Sequence, residues 1–183
     1  MNAIGQLRSI HDSELELMRA WRNAPAVRKN MYTRHEISQQ EHLSWWARVR
    51  ENSKQKYFMY EYQGQPSGIV AFTDIDNASS NCSWAFYAST EAPRGTGSRM
   101  EFLALEHIFL EIGLHKLYCQ VLAYNAPVVK LHQKFGFEIE GVFREHHCVD
   151  GEYVDIVCLG LLAQEWQKKR DDLLIKVMQT TES

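Results

Sequence analysis

Apolar positions along the 183-residue chain follow two rhythms, one helical and one strand-like. Asp12 and Ser13 are helix-start residues, and Leu15, Met18 and Trp21 follow at helical spacing until Pro25. Residues 26–37 read as a loop. Ser38 and Glu41 then form an S-x-x-E capping box, opening a second helix with Leu43, Trp46 and Val49 on one face. Residues 4–10, 57–62, 68–74 and 83–87 are strand-like, the second and third joined by the turn Gln63-Gly64-Gln65-Pro66. Gly95 and Gly97 break the chain. A long amphipathic helix, with Leu103, Ile108 and Phe109 as core candidates, runs on to about residue 112, where Gly113 stops it. Residues 116–122 form a strand, and 126–135 a short helix with Pro127 in its first turn. Residues 137–144 and 153–161 make a hairpin around Asp150-Gly151, and 165–177 a last helix. Strands and helices alternate only in the middle of the chain. The pattern therefore predicts an α/β fold whose sheet is mixed rather than wholly parallel.

Composition narrows the class. The length suits one domain, and 45% hydrophobic residues fill a sizeable core. A formal net charge of -3 argues against a nucleic-acid partner, which calls for a basic excess. No apolar run is long enough to span a bilayer, and residues 1–8 lack the apolar stretch of a signal peptide, so a cytoplasmic location is expected. Cys82, Cys119, Cys148 and Cys158 form no CxxC pair, and three of them sit in strand-like runs. His146, His147 and Cys148 are adjacent, but neighbours on a strand point to opposite faces. No metal site is expected, and the cysteines read as thiols in a reducing compartment.

The chemistry concentrates in residues 84–99. A strand feeds a loop, Arg94-Gly95-Thr96-Gly97-Ser98-Arg99, that opens a helix. Such a loop aims several backbone N–H groups at one point, and the helix N-terminus adds partial positive charge. Gly95 and Gly97 admit an anion to the backbone, and Arg94 supplies a charged donor, so a pyrophosphate is the expected ligand. No Gly-Lys-Ser/Thr follows, which excludes a Walker A loop. Arg99 stands where a third glycine would complete a Rossmann fingerprint. On its own the loop reads equally as an ordinary turn.

Its surroundings add specificity. The next strand leads to Asn125, then to Leu131-His132-Gln133-Lys134-Phe135-Gly136-Phe137. With these residues the chain resembles the GCN5-related N-acetyltransferase (GNAT) superfamily, whose loop reads Arg/Gln-x-x-Gly-x-Gly/Ala. Arg94-x-x-Gly97-x-Arg99 departs from it at the last position, where Arg99 either weakens the closest amide contact or reaches a CoA phosphate. The resemblance covers residues 7–166. It implies a single N-acetyltransferase domain over residues 4–166, with a helical tail over 167–183. It also implies a twisted sheet that splays open after Tyr87, and acetyl-CoA as co-substrate. The cofactor would be held by Phe86, Tyr87, Ala88, the loop Arg94, Gly95, Thr96, Gly97, Ser98 and Arg99, then Asn125, Lys130 and Lys134. A backbone N–H near Phe86 would meet the thioester carbonyl, and the amine would attack directly in a ternary complex. Many members carry Tyr near the CoA sulfur where this chain has His132. His132 either protonates the leaving thiolate or packs against the pantetheine, and Tyr124 is the alternative acid.

The acceptor end would be built by the first two helices and their loop. Trp21-Arg22-Asn23, Val27-Arg28, Met31-Tyr32, His42-Leu43, Trp45-Trp46, Trp84-x-Phe86-Tyr87, the run from Glu140 through Arg144, Asp155 and Glu165-Trp166 look like the pseudaminic-acid pathway acetyltransferases. That likeness implies transfer to the C4 amine of UDP-4-amino-4,6-dideoxy-N-acetyl-β-L-altrosamine. Arg22 and Arg28 would meet the diphosphate, with Met31, Tyr32, Thr73, Tyr87 and His42 completing the substrate site. Blander readings stand beside these: Trp21 and Trp46 as core, Arg28 with Lys29 as a solvated pair, Arg22 as a carbonyl cap. His42, Asp74 and Gln120 are the candidates for taking the amine proton, Gln120 by holding a water. A protein N-terminal acetyltransferase and a non-catalytic acyl-CoA-binding module are the alternatives in other classes. The C-terminal hairpin either pairs across a homodimer or packs on the tail helix.

Overall fold

Alternation along each strand decides which side of the sheet it serves. In the computed structural model, which describes residues 3–179, the central strands are β2 (Lys56–Tyr62), β3 (Gln65–Asp76) and β4 (Asn81–Ala88). They send Phe58, Tyr60, Val70, Phe72, Cys82 and Trp84 into one core, and Tyr57, Met59, Ile69 and Tyr87 into a second. With β1 (Gln6–Arg8), β5 (Lys116–Leu122), β6 (Glu138–Val149) and β7 (Glu152–Leu162) they form one sheet in the order β1-β2-β3-β4-β5-β7-β6. Only β4 and β5 run parallel, so the sheet is mixed, as the sequence pattern predicts.

Helices cover both faces. The larger core receives α4 (Thr96–Glu106), α5 (Ala126–Phe135) and α6 (Ala163–Gln179) through Met100, Phe102, Leu105, Phe135, Trp166 and Leu173. The smaller core receives Met18 and Trp21 of α1 (Leu15–Asn23), with Trp45 of α3 (Gln39–Val49) packed against them. A π-helical turn, His107–Ile112, extends α4 until Gly113 adopts φ +79°. The boundary expected at residue 166 falls inside α6, whose Leu173 and Val177 are buried in the sheet's own core. Residues 180–183 of the expected tail lie outside the described residues.

Four local expectations are corrected. Residues 26–37 are not all loop, because Pro25 starts a short helix α2 (Pro25–Arg28) from the position where its missing N–H costs nothing. The buried face of α3 is His42, Trp45 and Val49, whereas Leu43 is 43% exposed. Trp46 is half-buried and donates its indole N–H to Asp12 rather than joining the core. Only half of the capping box forms: Ser38 accepts from the Glu41 N–H at 3.2 Å, but the Glu41 carboxylate pairs with His35 at 2.9 Å. Ile139, Val142, Phe143 and Tyr153 on the terminal hairpin are exposed, so this apolar surface does not pack beneath α6.

Gly68 of β3 is a point of close approach between sheet and helix. A Cβ there would lie 2.8 Å from the Tyr87 carbonyl oxygen and 2.8 Å from the Met100 side chain of α4. Gly68→Ala is expected to lower stability by about 1–3 kcal/mol. It should appear as a lower urea midpoint with an unchanged slope; an unchanged midpoint would mean that β3 and α4 part without strain.

Candidate active site

The parallel pair β4 and β5 holds for three residues only: Asn81 with Lys116, Cys82 with Leu117, and Ser83 with Tyr118. Beyond Ser83, β4 stays bonded to β3 as far as Ala88, while β5 stays bonded to β7 as far as Leu122. The sheet thus forks, leaving one edge of β4 from Trp84 onward without a strand partner. A cavity of about 260 Å³ fills the fork, lined by Phe86, Tyr87, Ala88, Gln120, Asn125 and His132 among others. Six residues assigned to cofactor or catalysis from sequence therefore meet in one cleft.

At the end of β4 the glycine loop enters α4. Gly95 sits at φ +82°, a conformation that favours glycine, as the N-cap. Thr96 donates its N–H to the Pro93 carbonyl and Arg99 to that of Gly95, both at 3.1 Å. The N–H groups of Gly95, Gly97 and Ser98 find no acceptor among the described residues. They leave three free donors at a helix N-terminus, the arrangement that suits an anion. A Cβ on Gly97 would come within 3.3 Å of Leu131 in α5, so the two helices also need this glycine. Arg94, Lys130 and Lys134 are exposed and can reach outward.

Two loop side chains point the other way. Arg99 is 1% exposed and faces the core, not a phosphate. Its Nε donates to the Tyr60 hydroxyl at 3.0 Å, and its Nη2 to the Arg94 carbonyl at 3.0 Å and to Thr96 Oγ1 at 3.1 Å. The guanidinium also lies 4.2 Å from the centre of the Tyr62 ring. Arg99 thus holds the loop from beneath and is not a cofactor contact. The Thr96 hydroxyl donates to the Pro93 carbonyl at 2.7 Å and is likewise turned inward.

His132 projects from α5 into a ring of aromatics, with centroids of Trp84 at 5.3 Å, Phe137 at 5.2 Å and Phe86 at 6.0 Å. Its Nδ1 lies 2.9 Å from Oε1 of Glu101, a fully buried carboxylate on α4. Sequence reading missed Glu101, because on a helix with core residues at many positions one carboxylate carries no spacing signal. Tyr124, the alternative acid, donates its hydroxyl to the Lys29 carbonyl at 2.7 Å and is not in the cleft lining.

A second cavity of about 330 Å³ opens on the other side of β4, between the sheet, α1 and α3. Met31, Ala85, Phe86 and Tyr87 line both cavities, so the end of β4 is their common wall. Arg22 reaches in with Nη2 on the Thr33 carbonyl at 3.1 Å, and its Nη1 is buried with no partner. Burial lowers the pKa of this guanidinium from its ordinary value, and Arg28 lowers it further. His42 is buried in the same cavity, and desolvation followed by Arg19 holds its imidazole below the ordinary 6.5. Burial pushes the Tyr87 phenol upward, so it stays a neutral donor. Tyr32 belongs to the cofactor cleft, its ring edge on His147 at 5.0 Å. Arg28, Thr73 and Asp74, expected at the acceptor end from sequence, are not among the residues that line either cavity. Asp74 lies where the β3–β4 register shifts and is exposed.

A strand fork with a helix-capping glycine loop at its mouth, and a second cavity across the strand, give two sites that share the end of β4 as a wall. A model of the acetyltransferase (GNAT) domain matches residues 7–158, and the chain belongs to that family. It is an acetyl-CoA-dependent N-acetyltransferase. Acetyltransferase PseH of Campylobacter jejuni is 28% identical over 130 residues, covering 71% of this chain and 80% of that protein. Spermidine N(1)-acetyltransferase of Escherichia coli is 23% identical over 167 residues, covering 87% and 82%. The crystal structure of spermidine N-acetyltransferase from Vibrio cholerae with CoA and spermine superposes with a TM-score of 0.84 at 21% identity, over 91% of this chain and 99% of that one.

The loop makes a direct prediction. Gly97→Asp places a carboxylate at the anion site and crowds Leu131. It should weaken CoA binding about tenfold or more in calorimetric titration. Unchanged affinity would remove the pyrophosphate from this loop.

Proposed function

We propose that the acceptor is the C4 amine of a UDP-4-amino-4,6-dideoxy-N-acetylhexosamine, the altrosamine of pseudaminic acid biosynthesis, a precursor for flagellin glycosylation. One observation carries the reading: the acceptor cavity is lined by two arginines and a single carboxylate. Arg22 and Arg48 both line it, and one guanidinium nitrogen of Arg22 is buried without a hydrogen-bond partner among the described residues. Glu41 is the one carboxylate among the lining residues, and His35 already pairs with it. A diphosphate would satisfy the free nitrogen with a charge-assisted hydrogen bond. A polyamine would bring positive charge to a site that offers it no free carboxylate.

In this reading Met31 and Tyr87 hold the nucleotide sugar at the common wall, and Tyr32 closes the cleft beside it. His42, held neutral at physiological pH by burial and Arg19, takes the amine proton or passes it to water. Gln120 lines the cofactor cleft and can hold such a water, but has no basic site of its own. The amine attacks the thioester carbon, the C–S bond breaks with its electron pair on sulfur, and His132 protonates the thiolate. The chemistry needs no membrane or nucleic acid, and a cytoplasmic supply of acetyl-CoA suffices. The exposed Ile139, Val142 and Phe143 on the edge strand β6 support a homodimer through that hairpin.

The test is thiol release from acetyl-CoA with the UDP-4-amino sugar, spermidine and an N-terminal peptide run side by side. Turnover with the sugar alone is expected. Arg22→Leu should raise the sugar KM roughly tenfold or more, the worth of one hydrogen bond to a charged group. Turnover of spermidine with an Arg22→Leu variant indistinguishable from wild type would discard the anionic acceptor. For the acid, His132→Gln keeps a donor for Glu101 while losing the titrating ring. It should cut kcat about tenfold to a hundredfold with little change in the acetyl-CoA KM. Wild-type kcat in that variant would take His132 out of the chemistry.

A further inference from the structure

Glu101 and His132 are 0% and 3% exposed, and they touch each other through one contact, Oε1 to Nδ1 at 2.9 Å. The second carboxylate oxygen, Oε2, is buried with no partner at all. The other ring nitrogen of His132, Nε2, has no hydrogen-bond partner among the described residues, and His132 lines the cofactor cleft. A buried carboxylate with one polar contact is costly, and an apolar side chain of the same size would serve a core at least as well. Its placement is explained by the ring it touches. Glu101 sits in the second turn of the helix whose first turn caps the anion loop, so the carboxylate and the cofactor site share one rigid element.

We propose that Glu101 is a positioning residue for acetyl transfer: it fixes His132 with Nδ1–H towards the core and Nε2 towards the cleft, and stabilises the imidazolium until the thiolate leaves. The inference rests on His132 being the acid. Before transfer the pair is imidazolium and carboxylate, with no net charge. The amine adds to the thioester carbon and the C–S bond breaks with its electrons on sulfur. The Nε2 proton moves to sulfur, giving free CoA thiol, and leaves neutral His132 still donating Nδ1–H to Glu101. The proton lost by the attacking nitrogen goes to His42 or water on the other side of β4, and solvent recharges His132, so the books balance at one amide and one thiol. Trp84, Phe86 and Phe137 contribute no charge around the ring. The groups that bear on Glu101 are His132 and Lys134 of α5, and the Cys119 thiol of β5 feels its charge in turn. Burial pushes the Glu101 carboxyl above its ordinary range, and the His132 contact and Lys134 offset only part of that rise.

The first test needs no acceptor. Nitrogen-15 spectra of the histidine rings in the full-length chain report which ring nitrogen of His132 carries the proton across the neutral range. Nδ1 protonation in the neutral ring is expected; a neutral ring protonated at Nε2 alone overturns the proposal without any variant. Glu101→Gln should lower the His132 midpoint by about one pH unit or more. With the UDP-4-amino sugar it should lower kcat about tenfold, leave the acetyl-CoA KM within about twofold, and move the alkaline limb of kcat down by the same shift. Glu101→Asp, which keeps the charge, should recover part of the midpoint. A fold defect alone would lower the active fraction without moving the midpoint or the pH limb. If His132→Gln is slow while Glu101→Gln retains wild-type kcat, midpoint and pH limb, Glu101 has no such role although the acid stands. If His132→Gln itself has wild-type kcat, the acid reading falls, and with it this one.

Discussion

The parting of β4 from β5 after Ser83 is the constraint on which the rest of the structure depends. Three parallel pairs tie the strands at one end, and their other partners then carry them apart. A forked sheet exposes backbone that an ordinary sheet would pair, and it opens a cleft without interrupting the core on either side. Everything the chemistry uses hangs on that opening. Asn125 and His132 follow β5 along one bank, Phe86, Tyr87 and Ala88 form the other, and the glycine loop closes the end. The second cavity borrows the same strand end as its wall. Donor and acceptor can therefore meet across β4 without a domain movement.

Two buried charges on α4, two residues apart, keep that arrangement in place. Arg99 spends its donors on the Arg94 carbonyl, Thr96 and Tyr60, fastening the loop to the sheet. Glu101 fastens the ring of His132 on α5. Neither charge adds obvious stability, since each must be stripped of water. Their common effect is geometric: one holds the glycine loop against the sheet, and the other holds Nδ1 of the His132 ring towards the core. The Arg99 position shows how a family pattern can mislead. Where a small residue would let backbone approach the ligand, this chain has a long side chain that turns inward, so the approach remains open.

Legibility in the sequence followed the range of the interaction. Residues 116–122 and 126–135 were readable to the residue, because apolar alternation, Pro127 and Gly136 act locally. The glycine loop was readable for the same reason. The face of α3 was not, since Leu43, Trp45 and Trp46 offer two apolar stripes and only the position of α1 selects between them. The directions of Arg99 and Thr96, the carbonyl that engages Tyr124 and the pairing of Glu101 with His132 all depend on contacts between distant segments. Arg28 and Thr73 were expected at the acceptor by likeness of pattern, and the folded chain keeps both outside the two cavities.

The two histidines on either side of β4 differ in their neighbours rather than in their chemistry. His42 is buried beside Arg19, and both burial and that charge disfavour its protonated form. His132 is buried against a carboxylate, and its charged form has a partner. Two imidazoles in unlike surroundings can divide the work of one reaction, the first free to accept a proton and the second able to give one. The acceptor cavity adds to the same asymmetry. Cationic Arg22 and Arg48 line the side on which a proton must leave an amine, and they favour a deprotonated nucleophile there. A polycationic acceptor would add to that positive charge, whereas an anionic one would offset it. For the nucleotide sugar proposed above, the charge that would suit its phosphates would also help to free its amine.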